Sequence, residues 1–284
     1  MFKNSSYIQC LNEFVPFIKK LYGHTIVIKY GGAAMKDSIL ERQVINNIVF
    51  LRSLGIKVVL VHGGGPMINS WLKRLDIEPQ FENGIRITNS ETMEIVEMVL
   101  VGQVNKHLVN LFNQEQTIAV GLSGKDGKLI VASHLLPHSN NLVGRVDRVN
   151  TQILNLLLNS NYIPVIASVA SDQNGITYNI NADTVAGSIA QALQADKLIL
   201  LTDTPGIMLD VTSPSSLQKI LNIERIEDLF NKGIIVGGMI PKVECCIKAL
   251  KNKVKSTHII DGRVQDSLLL ELLTNERLGT KITI

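Results

Sequence analysis

Short apolar runs alternate along the chain with stretches in which apolar residues recur every three or four positions. Five runs are typical of buried β-strands, and they are TIVIKY, IKVVLVH, YIPVIAS, DKLILLT and STHIID. The periodic stretches predict helices over residues 38–53, 90–113, 151–160, 182–194, 241–252 and 264–273. Because buried strands alternate with helices, the pattern predicts an α/β fold with a mainly parallel sheet that is covered by helices on both faces.

Two stretches depart from this alternation. Residues 117–149 predict short strands and turns, such as a β-hairpin insert. Residues 7–22 predict a separate amphipathic helix that contains Pro16 and has apolar residues at Tyr7, Ile8, Leu11, Phe14, Val15, Ile18 and Leu21. Such a helix either covers its own domain or docks on another subunit. If the chain forms two lobes, their boundary is predicted near Gln194, where the helix of residues 182–194 ends.

Length and composition fit a globular protein with a sizeable core. The chain has 284 residues, of which 45% are hydrophobic and 19% charged. No apolar run approaches the roughly 20 residues of a membrane-spanning helix, and the N-terminus has no apolar signal core. The net charge of +3 is spread along the chain, so neither nucleic acid nor a membrane is expected as a partner. The three cysteines show neither a disulfide framework nor a zinc spacing, which fits a reducing compartment.

Glycines follow three of the predicted strands, in IKYGG, VHGGGP and LLTDTPG, and precede a helix in GGMIPK. Open parallel sheets bind ligands at the carboxyl ends of their strands. Glycine lets backbone N–H groups approach an anion, and the N-terminus of a following helix adds partial positive charge. One such run would more often be a simple turn, but four in one α/β chain favour phosphate or carboxylate binding.

Three better-known motifs are incomplete. No G-x-G-x-x-G follows the first strand, which argues against a nicotinamide-binding Rossmann fold. AVGLSGKD is close to a P-loop, but Ala119 replaces the first glycine and Asp126 stands where Ser or Thr would bind magnesium. HGGG occurs in the oxyanion loop of esterases, but GLSG is one residue short of the G-x-S-x-G elbow that an esterase needs.

Three charged residues stand beside the glycine turns. Lys29 is near the end of the first strand, Asp183 is at the start of the helix in NINADT, and Lys242 is at the start of the helix in GGMIPK. Phosphoryl transfer depends on positioning and on cations that neutralise the transferring group. Two ammonium groups with an aspartate between them would supply both. Taken singly, Lys29 could be an edge lysine that reaches solvent, and Asp183 could be an ordinary helix N-cap.

Six segments in this order, VIKYGG, VHGGGP, NGIRITN, YNINADT, LLTDTPGI and GGMIPKVE, resemble the amino acid kinase family, and most closely its N-acetyl-L-glutamate kinase branch. The resemblance implies a three-layer α/β/α sandwich with an N-terminal helix at residues 1–22, an acetylglutamate-binding lobe at 23–194 and an ATP-binding lobe at 195–284. The implied reaction transfers a phosphoryl group from ATP to the γ-carboxylate of N-acetyl-L-glutamate. Its product is N-acetyl-L-glutamyl 5-phosphate, an early intermediate of L-arginine biosynthesis.

The resemblance also implies roles for individual residues. Lys29 and Lys242 would stabilise the transferring phosphoryl group, and Asp183 would organise them. The acceptor would be bound by Gly64, Gly65, Arg86 and Asn179. ATP, with Mg²⁺ held mainly by its phosphates, would be bound by Gly31, Gly32, Asp203, Gly238 and Met239. Two alternatives stay open, namely another carboxylate or carbamate kinase of the same fold and a non-catalytic nucleotide-binding sensor.

Regulation and assembly are further expectations from the resemblance. Members inhibited by arginine carry an N-terminal helix that joins dimers, so residues 1–22 imply a homohexamer built as a trimer of dimers. His258 and Glu271 match the pattern of an L-arginine effector site. Three positions depart from that pattern, and they are Phe17, Leu209 and Arg277. The tail resembles plastid and cyanobacterial members, which implies a PII signalling protein as a candidate partner. The expected location is the plastid stroma if the gene is organellar and the bacterial cytoplasm otherwise.

Overall fold

The computed structural model describes residues 3–35, 37–82, 85–115, 117–136 and 140–284, with the backbone alone for 3–11, 33 and 34. The predicted apolar positions Tyr7, Ile8 and Leu11 therefore lie outside the described side chains. No helix in these ranges is long and apolar enough to span a membrane.

Ten α-helices lie in the described ranges. Each predicted helix corresponds to one of them, except residues 90–113, where the structure has two α-helices joined by a π-helical segment. The helices are α1 (Lys3–Leu21), α2 (Ser38–Ser53), α3 (Gly65–Arg74), α4 (Ser90–Glu97), α5 (Asn105–Gln114), α6 (Gln152–Asn159), α7 (Ala182–Ala192), α8 (Ile223–Asn231), α9 (Met239–Lys251) and α10 (Ser267–Leu273). A π-helical segment, Met98–Val104, joins α4 to α5, and a short 3₁₀ turn, Gly32–Met35, follows the first strand.

The β-strands form one large sheet and smaller assemblies. Their bounds are β1 (Thr25–Tyr30), β2 (Lys57–His62), β3 (Phe81–Glu82), β4 (Ile85–Arg86), β5 (Ala119–Ser123), β6 (Ile130–His134), β7 (Val143–Val149), β8 (Ile163–Ala167), β9 (Val169–Ser171), β10 (Thr177–Ile180), β11 (Lys197–Thr202), β12 (Ile220–Asn222), β13 (Ser256–Asp261) and β14 (Thr280–Thr283). The large sheet has eight strands in the order β12-β14-β13-β11-β1-β2-β8-β5. Neighbouring strands in it are parallel, except that β13 and β14 are antiparallel.

Both faces of the large sheet are buried. Along β1, Ile26 and Ile28 pack into one apolar cluster and Val27 packs into a second. The first cluster includes residues of α2, α3, α4 and α5, and the second includes residues of α6, α7, α8 and α9. The side chains of a strand alternate between the two faces of a sheet, so each face carries its own helix layer. The predicted α/β class and three-layer α/β/α sandwich are confirmed.

Residues 117–149 contribute to two different sheets, whereas the sequence predicted one insert of short strands and turns. β6 and β7 do form an antiparallel hairpin, and with β9 and β10 they close into a small barrel. β5, however, pairs with β8 and so belongs to the large sheet. The sequence did not reveal this assignment because β5 and β8 are separated by the hairpin and by α6.

Helix boundaries differ from the predictions by up to four residues, the largest difference being at the start of α1. α9 begins at Met239, two residues before the predicted start, and α10 begins at Ser267 instead of residue 264. Asp266 precedes α10 with a φ of 52°, in the left-handed region, so a right-handed helix does not continue through it.

The predicted division into two lobes near Gln194 stays a prediction. β1 pairs in parallel with both β2 and β11, so the large sheet continues across the proposed boundary. Gln194 itself has a φ of 49° just after α7, which marks a turn at that point.

Candidate active site

The parallel register brings the ends of three strands to one edge of the sheet. Lys29, the penultimate residue of β1, is paired with Val61 of β2 and with Leu200 of β11. Glycines or small residues follow each of these strands. The lysine is buried, with 9% of its surface exposed. An ammonium group at that position therefore needs a charged partner.

Asp183 supplies that partner from the first turn of α7. The helix is capped by Asn181, whose Oδ1 accepts hydrogen bonds from the backbone N–H groups of Asp183 (2.8 Å) and Thr184 (3.2 Å). Asp183 is therefore not the N-cap, contrary to the simpler of the two interpretations of the sequence. Its side chain is free to point toward the end of β1.

The Asp183 carboxylate lies between two lysines. Lys29 Nζ is 3.0 Å from Oδ1, and Lys242 Nζ is 2.8 Å from Oδ2. The two ammonium groups come from the end of β1 and the first turns of α9. Burial alone would raise the pKa of Asp183, but the charges of Lys29 and Lys242 and their contacts lower it below its ordinary value. The three side chains that the sequence singled out as catalytic candidates are thus in direct contact.

Two glycine turns border this trio. At Gly31 a Cβ atom would lie 3.1 Å from Lys29 Nζ, so a side chain there would press on the ammonium group. Gly32 has a φ of 79° and opens the 3₁₀ turn beside Asp203. Gly63 N–H donates to the Tyr30 carbonyl (3.2 Å) and ties the second turn to the first.

The second turn leads directly into α3. Gly64 precedes the helix, and Gly65 is its first residue. A Cβ atom at Gly65 would meet no described atom within 4 Å, so the fold itself does not demand glycine there. This openness fits a position at which a ligand approaches the backbone.

A buried arginine faces this part of the chain. Arg86 is 8% exposed, and its guanidinium lies over the Phe81 ring with Cζ 4.7 Å from the ring centroid. One Nη2–H donates to Asn69 Oδ1 (2.5 Å), whereas Nη1 is buried and has no hydrogen-bond partner among the described residues. Burial lowers the pKa of Arg86 from its ordinary value. A buried cationic donor without a partner is suited to an anionic ligand.

Asn179, on β10, belongs to the same region. Its Nδ2 donates to Thr88 Oγ1 (3.2 Å), and Thr88 Oγ1 in turn donates to the Arg86 carbonyl (3.2 Å). Asn141 Oδ1 accepts from the Thr88 N–H (2.8 Å). The predicted acceptor-binding residues Arg86 and Asn179 are therefore linked through Thr88.

A cavity of about 560 Å³ opens between the end of β11 and the start of α9. Its lining includes Asp203, Gly238, Met239 and Lys242. The remaining lining is largely apolar and comes mainly from the segment after β11 and from Ile234 and Val236. The volume is in the range of cavities that bind nucleotides and other small ligands. Three predicted nucleotide-binding residues thus share one cavity with a predicted catalytic lysine.

His258, on β13, and Glu271, on α10, form a separate pair. His258 Nδ1 is 2.9 Å from Glu271 Oε1, and both side chains are buried. Burial lowers the pKa of His258 to about 4, although Glu271 opposes the shift. The other carboxylate oxygen accepts from Leu278 N–H (3.0 Å), and Arg277 Nη1 lies 3.3 Å from Oε1.

Sequence reasoning missed several residues of the site. Asn181 could have been recognised, because Asn followed by a helix is a typical N-cap signal. Asn69 and Thr88 carried no comparable local signal, because they matter only through contacts with distant residues. The π-helical segment was also missed, since its apolar pattern is close to that of an α-helix.

Comparison with known proteins decides the family. A sequence profile described as the amino acid kinase family matches residues 24–261. The chain belongs to the amino acid kinase family.

Relatives of this kinase extend over its whole length. It is 58% identical to a protein named acetylglutamate kinase from Gracilaria tenuistipitata var. liui, over 100% of both chains. It is 54% identical to another of that name from a Nostoc species, over 97% of this chain and 93% of the relative. An N-acetylglutamate synthase structure from Neisseria gonorrhoeae shares the fold, with a TM-score of 0.86 and 22% identity over 98% of this chain. The kinase spans 63% of that synthase, and the likeness concerns fold alone.

Proposed function

We infer that this kinase transfers the γ-phosphoryl group of ATP to the γ-carboxylate of N-acetyl-L-glutamate, in L-arginine biosynthesis. The full-length relatives that are 58% and 54% identical carry the name acetylglutamate kinase. The observation that carries the chemistry is the bridge from Asp183 to Lys29 and Lys242, with distances of 3.0 Å and 2.8 Å. Two cations that converge on one edge of the sheet are suited to a multiply charged phosphoryl group.

We propose that Lys29 and Lys242 bind oxygens of the transferring group from two sides. Negative charge on those oxygens is stabilised by ammonium groups that are already in place, and so little reorganisation is needed during the reaction. Asp183 keeps the two lysines together in the free enzyme and offsets their mutual repulsion. The attacking γ-carboxylate is ionised at neutral pH. The reaction therefore needs no general base and no covalent intermediate.

The acceptor side is proposed to consist of Gly64, Gly65, Arg86 and Asn179. Backbone N–H groups at the start of α3 suit an anionic group of acetylglutamate. The free Nη1 donor of Arg86 suits the α-carboxylate, because a guanidinium offers two parallel donors to a carboxylate. Asn179 would add a hydrogen bond from its side-chain amide.

The nucleotide is proposed to occupy the cavity lined by Asp203, Gly238 and Met239, with its phosphates at Gly31 and Gly32. The cavity reaches Lys242, which connects the nucleotide region to the charged trio. No group of three or more His, Cys, Asp or Glu in the described ranges could hold a metal ion by itself. We propose that Mg²⁺ is held mainly by ATP phosphates, where it would neutralise phosphate charge.

Assembly and location stay proposals as well. We propose that α1 docks on other subunits in a homohexamer and that a PII signalling protein is a candidate partner. The division into a helix at 1–22, an acceptor lobe at 23–194 and an ATP lobe at 195–284 is proposed on the same basis. Relatives from red algae and cyanobacteria support the plastid stroma or the bacterial cytoplasm as the location. Sedimentation at several concentrations, with and without α1, tests the hexamer.

Arginine inhibition is proposed through His258 and Glu271. Because the Arg277 guanidinium lies 3.3 Å from Glu271 Oε1, free arginine would have to share or displace it. Turnover in millimolar L-arginine tests the proposal, with Arg277→Gly as the comparison variant. Unchanged turnover in both proteins would remove arginine as an effector.

The reaction is tested by coupled measurement of ADP release. N-Acetyl-L-glutamate is compared with aspartate, glutamate and carbamate as acceptors, each with Mg²⁺ and ATP. The expected result is efficient turnover with acetylglutamate alone. Preference for another acceptor would point to a different kinase of this fold, and nucleotide binding without turnover would point to a sensor.

A further inference from the structure

We propose that His62 and Asn105 are positioning residues that aim the Gly64 N–H group at the acceptor. This inference rests on the proposed acetylglutamate-binding role of residues 64 and 65. The two side chains do not touch the reacting atoms. They act through the peptide group between Gly63 and Gly64.

His62 contacts the carbonyl oxygen of that peptide group. It is the last residue of β2 and is fully buried, and its Nδ1 lies 2.9 Å from the Gly63 carbonyl oxygen. The Gly63 oxygen and the Gly64 N–H belong to one planar trans peptide and point in opposite directions. A hydrogen bond that fixes the oxygen toward His62 therefore directs the Gly64 N–H away from the imidazole.

Asn105 determines which nitrogen of His62 carries the proton. Its Nδ2 lies 2.9 Å from the Val165 carbonyl oxygen and 3.1 Å from His62 Nε2, and the residue is fully buried. The carbonyl can only accept, so the amide nitrogen must face it. The Leu122 carbonyl oxygen also lies 3.4 Å from Nδ2, so the second hydrogen is shared between that oxygen and Nε2, and the amide offers the ring only a donor. Nε2 is then an acceptor, and the proton is on Nδ1, where it can be donated to Gly63.

A neutral imidazole is consistent with this arrangement. Burial lowers the pKa of His62 to about 4, and the charge of Lys106 adds to the shift. At neutral pH the ring therefore has one donor and one acceptor. A doubly protonated ring would set an Nε2–H against the Asn105 amide hydrogens.

The π-helical segment connects the same two features. It ends at Val104, immediately before Asn105. A Cβ atom at Gly64 would lie 2.6 Å from Leu100 Cδ2 and 3.3 Å from Val104 Cγ2. The segment thus packs against the glycine turn and also sets the start of α5. π-Helical turns are frequent at functional sites. This one places Asn105 at the start of α5, where its side chain contacts His62.

Two conservative variants separate the two contacts of His62. The side-chain amide of His62→Asn lies near the Nδ1 position and can still donate to Gly63. That of His62→Gln extends to the Nε2 position and can contact Asn105 instead. We expect His62→Gln to raise the acetylglutamate KM about tenfold and His62→Asn by less than about threefold, with the ATP KM unchanged in both.

Phe112→Leu is the matched control. Phe112 is a fully buried residue of α5, two turns after Asn105, and its substitution lowers stability without touching the turn. We expect both KM values of this variant to match those of the wild type. Equal acetylglutamate KM values in the two His62 variants, or a parallel rise of both KM values, would overturn the inference.

A measurement on the unmodified enzyme covers the case in which the variants fail to fold. ¹⁵N spectra of the histidine side chains should show His62 neutral and protonated at Nδ1 between pH 6 and 8. Protonation at Nε2 would overturn the inference, because Nδ1 could not then donate to Gly63. A wild-type enzyme that does not phosphorylate acetylglutamate would instead refute the proposed function, independently of the tautomer.

Discussion

Replacing Lys242 with alanine should slow the chemical step strongly while the enzyme stays folded. The ammonium group lies 2.8 Å from Asp183 Oδ2, and the side chain is 16% exposed. A unit charge about 4 Å from a phosphoryl oxygen contributes about 4 kcal/mol at an effective dielectric constant of about 20. Only the part that strengthens in the transition state lowers the barrier. We therefore expect a loss of about 2–4 kcal/mol, which is a fall in kcat of about 30-fold to 1000-fold.

The assay is ADP release at saturating ATP and acetylglutamate, together with urea unfolding of the same preparation. Asp183 keeps Lys29 as a partner in the variant, so the free energy of unfolding should fall by about 1–3 kcal/mol. The acetylglutamate KM should change little, because Lys242 is not among the proposed acceptor-binding residues.

Lys248→Ala is the control on the same helix. Lys248 is an exposed residue of α9, so its loss should leave kcat unchanged and change stability by less than about 0.5 kcal/mol. A Lys242→Ala enzyme that is folded and within about tenfold of wild-type kcat would refute the electrostatic role.

Three other substitutions test separate parts of the structure. Arg86→Lys should raise the acetylglutamate KM at least about tenfold with the ATP KM unchanged, because an ammonium cannot form two parallel bonds to a carboxylate; equal changes in both KM values would contradict this. The pKa of Asp183 is lowered in the folded state, so its contribution to stability is complete above the ordinary value of about 3.9 and is lost as pH falls below it. Asp183→Asn should therefore show a smaller loss of unfolding free energy between pH 5 and 3 than the wild type, measured by urea unfolding, and identical losses would refute the pairing. Glu271→Gln should cost about 2–4 kcal/mol in thermal unfolding, because glutamine keeps only one acceptor oxygen and its NH2 group would face either the Leu278 N–H or the Arg277 guanidinium; a cost below about 0.5 kcal/mol would be inconsistent with those contacts.

Local sequence features predicted most of the secondary structure. The helix over residues 38–53 has the predicted bounds, because its apolar spacing and the Asp37 cap are properties of neighbouring residues. The buried strands and the glycines after them were equally visible. Their alternation with helices was sufficient to predict a mainly parallel sheet, and hence a ligand site at its carboxyl edge.

The arrangement of charges was decided by the tertiary structure. Lys242 and Asp183 are 59 residues apart in the chain, and no pattern within either segment requires them to meet. They meet because the register of β1 with β11 and the packing of α7 against α9 bring the start of each helix beside the end of β1. The cap at Asn181 then leaves Asp183 free to join two cations.

The contact between His62 and Asn105, next to the glycine turn, was likewise decided by the tertiary structure. VHGGGP predicted a turn after a strand, but nothing near His62 indicated Asn105, 43 residues later. Sequence determines short-range features, because propensity, capping and periodicity act between neighbouring residues. Hydrogen bonds between distant side chains depend on where whole strands and helices pack, and so the pairing of Lys29, Asp183 and Lys242 and the contact of His62 with Asn105 became definite only in the folded chain.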